Sequence, residues 1–225
     1  MSTPYPYTAI LLDLDGTIVD SAPGIIDTLK RTFVALELPV PSDAELLAWV
    51  GPPILESFRD RAGMNDEQQA RALEVYRQQY LDQGAYDSTL FPDMGLFVAD
   101  IGASPLPLSL ATSKPETPAT LMLEHFTIAH HFDVITGASA DEVRSAKADV
   151  VAEALVRLKA IGADLSRPVM IGDRIHDIEG SAAHGIPAIG VSWGYAQDGE
   201  FDHAIATVDT VAELRELIGL APADA

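Results

Sequence analysis

Two carboxylates stand two residues apart at the end of an apolar run. Asp13 and Asp15 follow Ile10-Leu11-Leu12 and precede Gly16-Thr17. Side chains at positions i and i+2 of a strand point to the same face, so a backbone that stays extended predicts that both acids face one pocket. At about 4 Å and an effective dielectric constant of about 20, their repulsion is about 4 kcal/mol. The pair therefore indicates a metal site, an acid–base site, or both.

The composition predicts a folded and strongly acidic protein. The chain has 225 residues, of which 48% are hydrophobic, and a formal net charge of −20. A negative field of this size argues against nucleic acid and anionic membranes as partners. The sequence has no cysteine, no run of about 18 apolar residues, and no basic-then-apolar pattern at its start. We therefore expect a soluble, cytoplasmic protein.

Short apolar strand patterns alternate with helical patterns through much of the chain. This alternation predicts an α/β fold with a parallel sheet covered by helices on both faces. The predicted strands span residues 7–12, 106–111, 132–135, 169–171 and 188–191. The helices predicted between them span residues 117–126, 146–161 and 178–184.

A long segment separates the first two predicted strands and carries helical patterns without a convincing strand. We therefore expect an inserted helical unit, with linkers near residues 19–23 and 89–93. Its predicted helices span residues 24–36, 43–48, 54–62 and 67–83. The predicted domains are residues 1–19 and 92–225 for the α/β core and residues 20–91 for the helical unit.

Polar side chains also follow the second and fourth predicted strands. Thr112-Ser113-Lys114 follows the second strand, Lys147 lies near the start of a long predicted helix, and Asp173 and Asp177 follow the fourth strand. In parallel sheets, ligands gather where strands end and helices begin, so we expect these groups to meet Asp13. Taken alone, Asp173 and Asp177 are equally typical of a helix cap and its first turn.

In this order, the motifs resemble those of the haloacid dehalogenase superfamily. Residues 13–17 are similar to its first motif, Thr112 to its hydroxyl motif, Lys147 to its lysine motif, and residues 172–177 to its final acidic motif. One departure is Ala148, which stands where many relatives have proline. The resemblance implies a Rossmann-like, doubly wound parallel sheet with an inserted all-helical cap, as in phosphoglycolate phosphatase relatives.

The resemblance also implies a role for each acid. Asp13 would be the nucleophile that forms an aspartyl phosphate, and Asp15 would protonate the leaving alcohol and then deprotonate water. Mg²⁺ would be held by the side chains of Asp13 and Asp173 and by the backbone carbonyl of Asp15. Asp177 would orient a metal-bound water or Lys147.

The phosphoryl oxygens would be bound by Thr112, Ser113 and Lys147. Lys114 remains open as an alternative to Lys147 or as a second phosphate ligand, because it lies on an equally plausible loop.

Three residues of the predicted cap are candidates for contact with the leaving group. Gly51 and Pro52 belong to a loop that resembles one dipping toward the substrate in relatives, and Arg59 lies one turn beyond it. A Pro-Pro pair is equally typical of a helix start.

The resemblance therefore implies an Mg²⁺-dependent phosphatase acting on a small phosphorylated metabolite, of the phosphoglycolate phosphatase kind, as a monomer or homodimer. Alternatives are a nucleoside 5′-monophosphate or sugar-phosphate phosphatase and a β-phosphoglucomutase-like phosphotransferase. A non-enzymatic phospholigand sensor ranks below these, because the nucleophile, the acid, the lysine and the metal carboxylates are all present.

Overall fold

The computed structural model describes residues 5–220, so the outermost parts of the predicted core, residues 1–4 and 221–225, lie outside the described residues. The strands are β1 (Ala9–Leu12), β2 (Val19–Asp20), β3 (Thr89–Leu90), β4 (Leu108–Pro115), β5 (Val134–Ala138), β6 (Pro168–Gly172), β7 (Ala188–Val191) and β8 (Ala206–Val208). The α-helices are α1 (Ala22–Ala35), α2 (Asp43–Leu47), α3 (Ile54–Asp60), α4 (Asp66–Gln79), α5 (Met94–Gly102), α6 (Glu116–His125), α7 (Lys147–Ala160), α8 (Ile175–Ala182) and α9 (Val211–Ile218). A π-helix, Tyr80–Gly84, continues α4, and a short 3₁₀ helix spans Ala129–His131.

A parallel sheet in the order β5-β4-β1-β6-β7-β8 confirms the predicted fold class. Alternate residues of β1 serve its two faces, because successive strand side chains point in opposite directions. Leu11 packs in a cluster with residues of α7 and α8. Leu12 packs in the cluster that includes residues of α5, α6 and α9. The sheet is thus buried on both sides, with β1 at its centre.

The helical insertion, which we define as residues 22–84, consists of α1 to α4 and the π-helix. A chain of aromatic contacts with centroid distances of 5.6–6.4 Å runs through its interior. The rings belong to Phe33, Trp49, Phe58, Tyr76 and Tyr80. The insertion therefore has an apolar core of its own, continuous with the cluster on one face of the sheet.

The structure adds elements that the sequence analysis did not predict. The long segment that showed only helical patterns contains β2 and β3, which pair antiparallel at the two ends of the insertion. The same segment also contains α5. Near the end of the described chain, β8 adds an edge strand to the sheet and α9 follows it. In the described residues, no helix combines the length and apolarity needed to cross a membrane.

Candidate active site

Three buried carboxylates and one lysine meet beyond the carboxyl ends of β1 and β6. Oxygen atoms of Asp13, Asp173 and Asp177 lie within 4.8 Å of one another. Lys147 Nζ lies 2.7 Å from Asp13 Oδ1 and 2.6 Å from Asp177 Oδ1, and it also donates to the Ala111 carbonyl at 3.1 Å. One buried ammonium therefore pairs with two of the three buried carboxylates, which leaves a formal charge of −2 in the cluster.

Two glycines allow Asp173 to lie close to the first motif. Gly16 has φ of +86°, and a Cβ there would collide with the Asp173 carboxylate; a Cβ at Gly194 would collide with the same residue. Thr17 Oγ1 donates to Asp173 Oδ1 at 3.3 Å, and the Tyr195 amide donates to Oδ2 at 2.7 Å. Asp173 is thus fixed by contacts from the two loops that these glycines shape.

The pKa values of the cluster reflect burial and crowding of like charges. Burial is the largest cause that raises the pKa of Asp13, to about 6, and the attraction of Lys147 only partly offsets it. Burial, followed by repulsion from Asp177 and Asp13, raises the pKa of Asp173 well above its usual range. Burial lowers the pKa of Lys147, but attraction from Asp13 and Asp177 outweighs burial, so its net pKa is raised. Lys147 therefore stays charged, whereas Asp13 and Asp173 resist ionisation.

Asp15 faces a different cation. β1 ends at Leu12, and the Asp15 carboxylate is bound by Lys114 Nζ at 2.9 and 3.0 Å. The same Nζ lies 4.6 Å from the centroid of the Tyr80 ring, which comes from the helical insertion. The two acids of the first motif therefore have different surroundings: Asp13 belongs to the carboxylate cluster, and Asp15 lines the adjoining cavity.

The hydroxyl-bearing segment ends β4 beside these groups. Thr112 and Ser113 are buried, and Thr112 Oγ1 accepts a hydrogen bond from the Lys114 amide at 3.2 Å. Ser113 lines the cavity, and its Oγ has no hydrogen-bond partner among the described residues. The structure thus brings together Thr112, Ser113, Lys114 and Lys147 with the first motif.

A cavity of about 550 Å³ extends from Asp15 into the space between the sheet and the helical insertion. Gly51 and Pro52 line it. The Val50 carbonyl accepts a 2.6 Å hydrogen bond from Arg174, whose guanidinium also pairs with Glu200. This contact joins the loop before α3 to the loop that carries Asp173.

Arg59, the third predicted residue of the helical insertion, is not among the cavity residues. Its side chain is exposed, and Nε pairs with Asp60 Oδ1 at 2.7 Å. The sequence favoured it because α3 follows the loop of Gly51 and Pro52, but the helix directs this position toward solvent.

Several cavity residues were missed by the sequence analysis. Trp49, Tyr76 and Tyr80 line the cavity, and so do Arg77 and Glu142. Arg77 Nη2 on α4 lies 2.6 Å from Glu142 Oε1, which follows β5. No short motif marks these positions; the aromatic residues of the helical patterns were the only available signal.

The residues of the carboxylate cluster fit Mg²⁺ as a ligand set. Hard divalent cations prefer oxygen ligands, and the cluster offers three carboxylates whose excess formal charge equals that of one such ion. The raised pKa values of Asp13 and Asp173 show that the cluster carries an electrostatic cost that a bound cation would offset.

Comparisons with known proteins agree on one family. The family model of haloacid dehalogenase-like hydrolases matches residues 10–191. A crystal structure of a predicted phosphatase from Clostridium acetobutylicum superimposes with a TM-score of 0.87 at 31% identity, covering 93% of this chain and 97% of that one.

Three of the curated relatives carry different names. Tyrosine-protein kinase PtkA of Mycobacterium tuberculosis is 39% identical over 215 residues, which are 94% of this chain and 72% of the relative. A 5′-nucleotidase of Pseudomonas aeruginosa is 30% identical over 194 residues, 86% of each chain. A phosphoglycolate phosphatase of Shigella boydii is 30% identical over 208 residues, 83% of this chain and 81% of the relative.

Proposed function

This chain belongs to the haloacid dehalogenase-like hydrolases and is a phosphatase of that family, and we propose that it hydrolyses a small phosphate monoester, with Mg²⁺ bound, through an aspartyl phosphate on Asp13. The observation that carries the proposal is the buried cluster of Asp13, Asp173 and Asp177 around Lys147. Asp15, held by Lys114 at the edge of the adjoining cavity, supports it as a separate acid–base group.

The proposed reaction has two halves that share one proton carrier. A carboxylate oxygen of Asp13 attacks phosphorus, the bond from phosphorus to the leaving oxygen breaks, and Asp15 gives that oxygen a proton. Water then attacks the aspartyl phosphate, Asp15 takes its proton, and inorganic phosphate leaves with the Asp13 carboxylate restored. A carboxylate suits this role because the acyl phosphate that it forms hydrolyses readily.

The groups around Asp13 would hold the phosphoryl oxygens. Lys147 is charged and fixed between Asp13 and Asp177, so it offers a positive charge without reorganisation. Thr112 and Ser113 offer hydroxyls at the end of β4. Mg²⁺ held by Asp13, Asp173 and the Asp15 carbonyl would neutralise charge on the substrate phosphate.

We propose that the helical insertion, within residues 20–91, acts as a cap over residues 1–19 and 92–225. The cavity-lining residues of the insertion, the antiparallel strands β2 and β3 that flank it, and the Arg174 contact to Val50 support this division. Closure of such a cap would exclude water from the leaving-group side of the site.

The proposed substrate is a small phosphorylated metabolite, and the proposed location of the enzyme is the cytoplasm. The named relatives support phosphoglycolate and nucleoside 5′-monophosphates as substrates, and sugar phosphates remain in the same class. A second candidate reaction is transfer of the Asp13 phosphoryl group to a hydroxyl of another molecule in place of water, with Asp15 taking that hydroxyl's proton. The relative named as a tyrosine-protein kinase supports it.

A phosphate-release screen over phosphoglycolate, nucleotides and sugar phosphates tests the proposal. We expect turnover that requires Mg²⁺ and is lost in Asp13→Asn. The matched control is Asp198→Asn, which makes the same chemical change at an exposed position. Turnover by Asp13→Asn at the wild-type rate would refute the mechanism. If turnover requires a second compound that carries a hydroxyl group, the result would favour phosphoryl transfer over hydrolysis.

A further inference from the structure

We propose that the leaving alcohol of the substrate carries a planar ring, which lies in the cavity against Trp49, Tyr76 and Tyr80, with a polar group of the ring bound by Tyr80 Oη. This inference rests on the proposed phosphatase function and narrows its substrate class. It is drawn from the size of the cavity, the aromatic and aliphatic character of its wall, the pairing of its charges and the unpaired hydroxyl of Tyr80 in that wall.

The cavity lies where the leaving group must go. Asp15, the proposed proton donor to that group, is part of its lining, as are Ser113 and Lys114. A volume of about 550 Å³ falls within the range of roughly 300–1,000 Å³ that buries a drug-sized ligand. A two-carbon alcohol such as glycolate would leave most of this space to solvent.

The wall of the cavity is mainly apolar and aromatic. Trp49, Tyr76 and Tyr80 contribute rings, and aliphatic side chains lie among them; these are Ile25, Ile54, Leu73 and Leu81. The rings are held by neighbours: Trp49 contacts Phe58 edge to face, and Tyr76 stacks on Tyr80 at 5.6 Å and 13°. Fixed aromatic walls of this kind favour planar, apolar ligand parts over small charged ones.

The basic residues that line the cavity already face acids. Lys114 binds Asp15, and Arg77 binds Glu142. The third, Arg144, lies 3.6 Å from a carboxylate oxygen of Glu116. Among the described residues, no lining cation is left over for a second anionic group of the substrate, such as the carboxylate of phosphoglycolate. The pairing therefore favours a neutral leaving group.

Two residues of the cavity lining have a buried hydroxyl without a hydrogen-bond partner in the described part of the chain, Ser113 among the proposed phosphate ligands and Tyr80 in the aromatic wall. Tyr80 is 4% exposed, and its Oη makes no hydrogen bond within the described part of the chain. Burying a hydroxyl without a hydrogen bond is costly, and such groups in native proteins call for an explanation. A ring substituent or ring nitrogen that meets Oη would satisfy it.

The position of Tyr80 depends on an unusual stretch of backbone. Tyr80 begins the π-helix. This form is rare in proteins, and where it occurs it often lies at a functional site. Gly84 ends the π-helix against α1, where a Cβ would collide with Thr28 Oγ1; a Cβ at Gly24 would likewise collide with the Gly84 carbonyl. These two glycines let α1 and the π-helix approach closely, which fixes the Tyr80 ring beside Lys114.

A matched pair of substrates tests the ring directly. Adenosine 5′-monophosphate and ribose 5-phosphate leave through the same primary hydroxyl of the ribose, but only the nucleotide carries a planar base on that sugar. We expect kcat/KM to be at least about tenfold higher for the nucleotide, within the range measured for base–aromatic contacts. A ribose 5-phosphate or phosphoglycolate value that equals or exceeds that of the nucleotide overturns the inference, unless the tyrosine pair described next shows the preference instead.

A second pair distinguishes the two sources of a ring. O-phosphotyrosine and O-phosphoserine are titrated by calorimetry into Asp13→Asn with Mg²⁺, beside the first pair. If the nucleotide or phosphotyrosine binds about tenfold more tightly than its partner without a planar ring, the result supports the inference and shows which kind of ring the cavity prefers. Equal binding within both pairs overturns it. This experiment measures binding and needs no turnover. It therefore still tests the preference for a ring if the proposed reaction itself is wrong.

Tyr80→Phe tests the hydroxyl. We expect the preference for the ring-bearing ester over its ringless partner to fall by roughly three- to tenfold, the usual effect of one hydrogen bond. The matched control is Tyr86→Phe, because Tyr86 is 48% exposed and contacts His125 outside the cavity. A folded Tyr80→Phe protein with an unchanged preference would remove Tyr80 from the proposal.

Discussion

Replacing Asp13 by asparagine is expected to stabilise the metal-free protein at neutral pH, although it removes the proposed nucleophile. The asparagine side chain would keep an oxygen that can accept from Lys147 while removing one of three crowded negative charges. The change therefore separates the stability of the fold from the requirements of the reaction.

The magnitude follows from the pKa of Asp13. Its pKa rises from 3.8 to about 6 on folding, mainly because the side chain is buried. A carboxyl whose pKa is raised in the folded state binds its proton more tightly there, so stability is lost as pH rises through about 6. Each pKa unit corresponds to about 1.4 kcal/mol, so ionised Asp13 lowers the free energy of unfolding by about 3 kcal/mol at pH 7.5, where the cost is complete. At pH 4.5 only about 1 kcal/mol of this cost is present.

The assay is urea denaturation in the presence of a chelator, at pH 7.5 and pH 4.5, for wild type, Asp13→Asn and the exposed control Asp198→Asn. We expect the free energy of unfolding of Asp13→Asn to exceed that of wild type by up to about 3 kcal/mol at pH 7.5, and by about 1 kcal/mol at pH 4.5. The slope against urea should not change, and Asp198→Asn should match wild type.

Addition of Mg²⁺ should reduce or reverse the difference. An ion at a hundredfold excess over its dissociation constant stabilises the state that binds it by about 2.7 kcal/mol. Wild type should gain more than Asp13→Asn, which has lost a charged ligand. A metal-free Asp13→Asn protein that is less stable than wild type at pH 7.5, or equal stabilisation of both by Mg²⁺, would refute the reasoning.

Two further substitutions test the surroundings of the cluster. Lys147→Met removes the ammonium that balances the cluster, so we expect the metal-free free energy of unfolding to fall by about 3–5 kcal/mol at pH 7.5 in urea titrations, whereas exposed Lys159→Met on the same helix should change it little. Gly16→Ala would push a methyl group into the Asp173 carboxylate, so we expect Mg²⁺ affinity by calorimetry to fall at least about tenfold. Gly185→Ala has a similar positive φ but open space around it, so wild-type affinity in Gly16→Ala, or the same loss in Gly185→Ala, would contradict the collision.

The central strands were predictable because their patterns are strong. The predicted strand 188–191 coincides with β7, and the predicted strand 169–171 lies within β6. Parallel strands buried on both faces read as continuous apolar runs, and these runs survive in the sequence. The strands β2 and β8 have only two and three residues, and such short edge segments leave no periodic signal.

The cavity could not be read from the sequence for a related reason. The first motif and Asp173 follow neighbouring parallel strands, so the topology places them at the same edge of the sheet. Tyr80 reaches the cavity through a π-helix that depends on the contact of Gly24 with Gly84, residues far apart in the chain. Contacts between distant segments of this kind leave no local pattern.

The most direct test of the central claim is to trap the phosphorylated carboxylate. The protein is mixed with Mg²⁺ and a phosphate monoester that it hydrolyses, quenched in acid, and reduced with borohydride, which converts an aspartyl phosphate to homoserine. Peptide mass spectrometry then locates the change. Our account predicts homoserine at position 13, dependent on substrate and Mg²⁺. Homoserine at another position would contradict the account. So would the absence of homoserine during steady turnover, provided that the same procedure traps a known aspartyl phosphate.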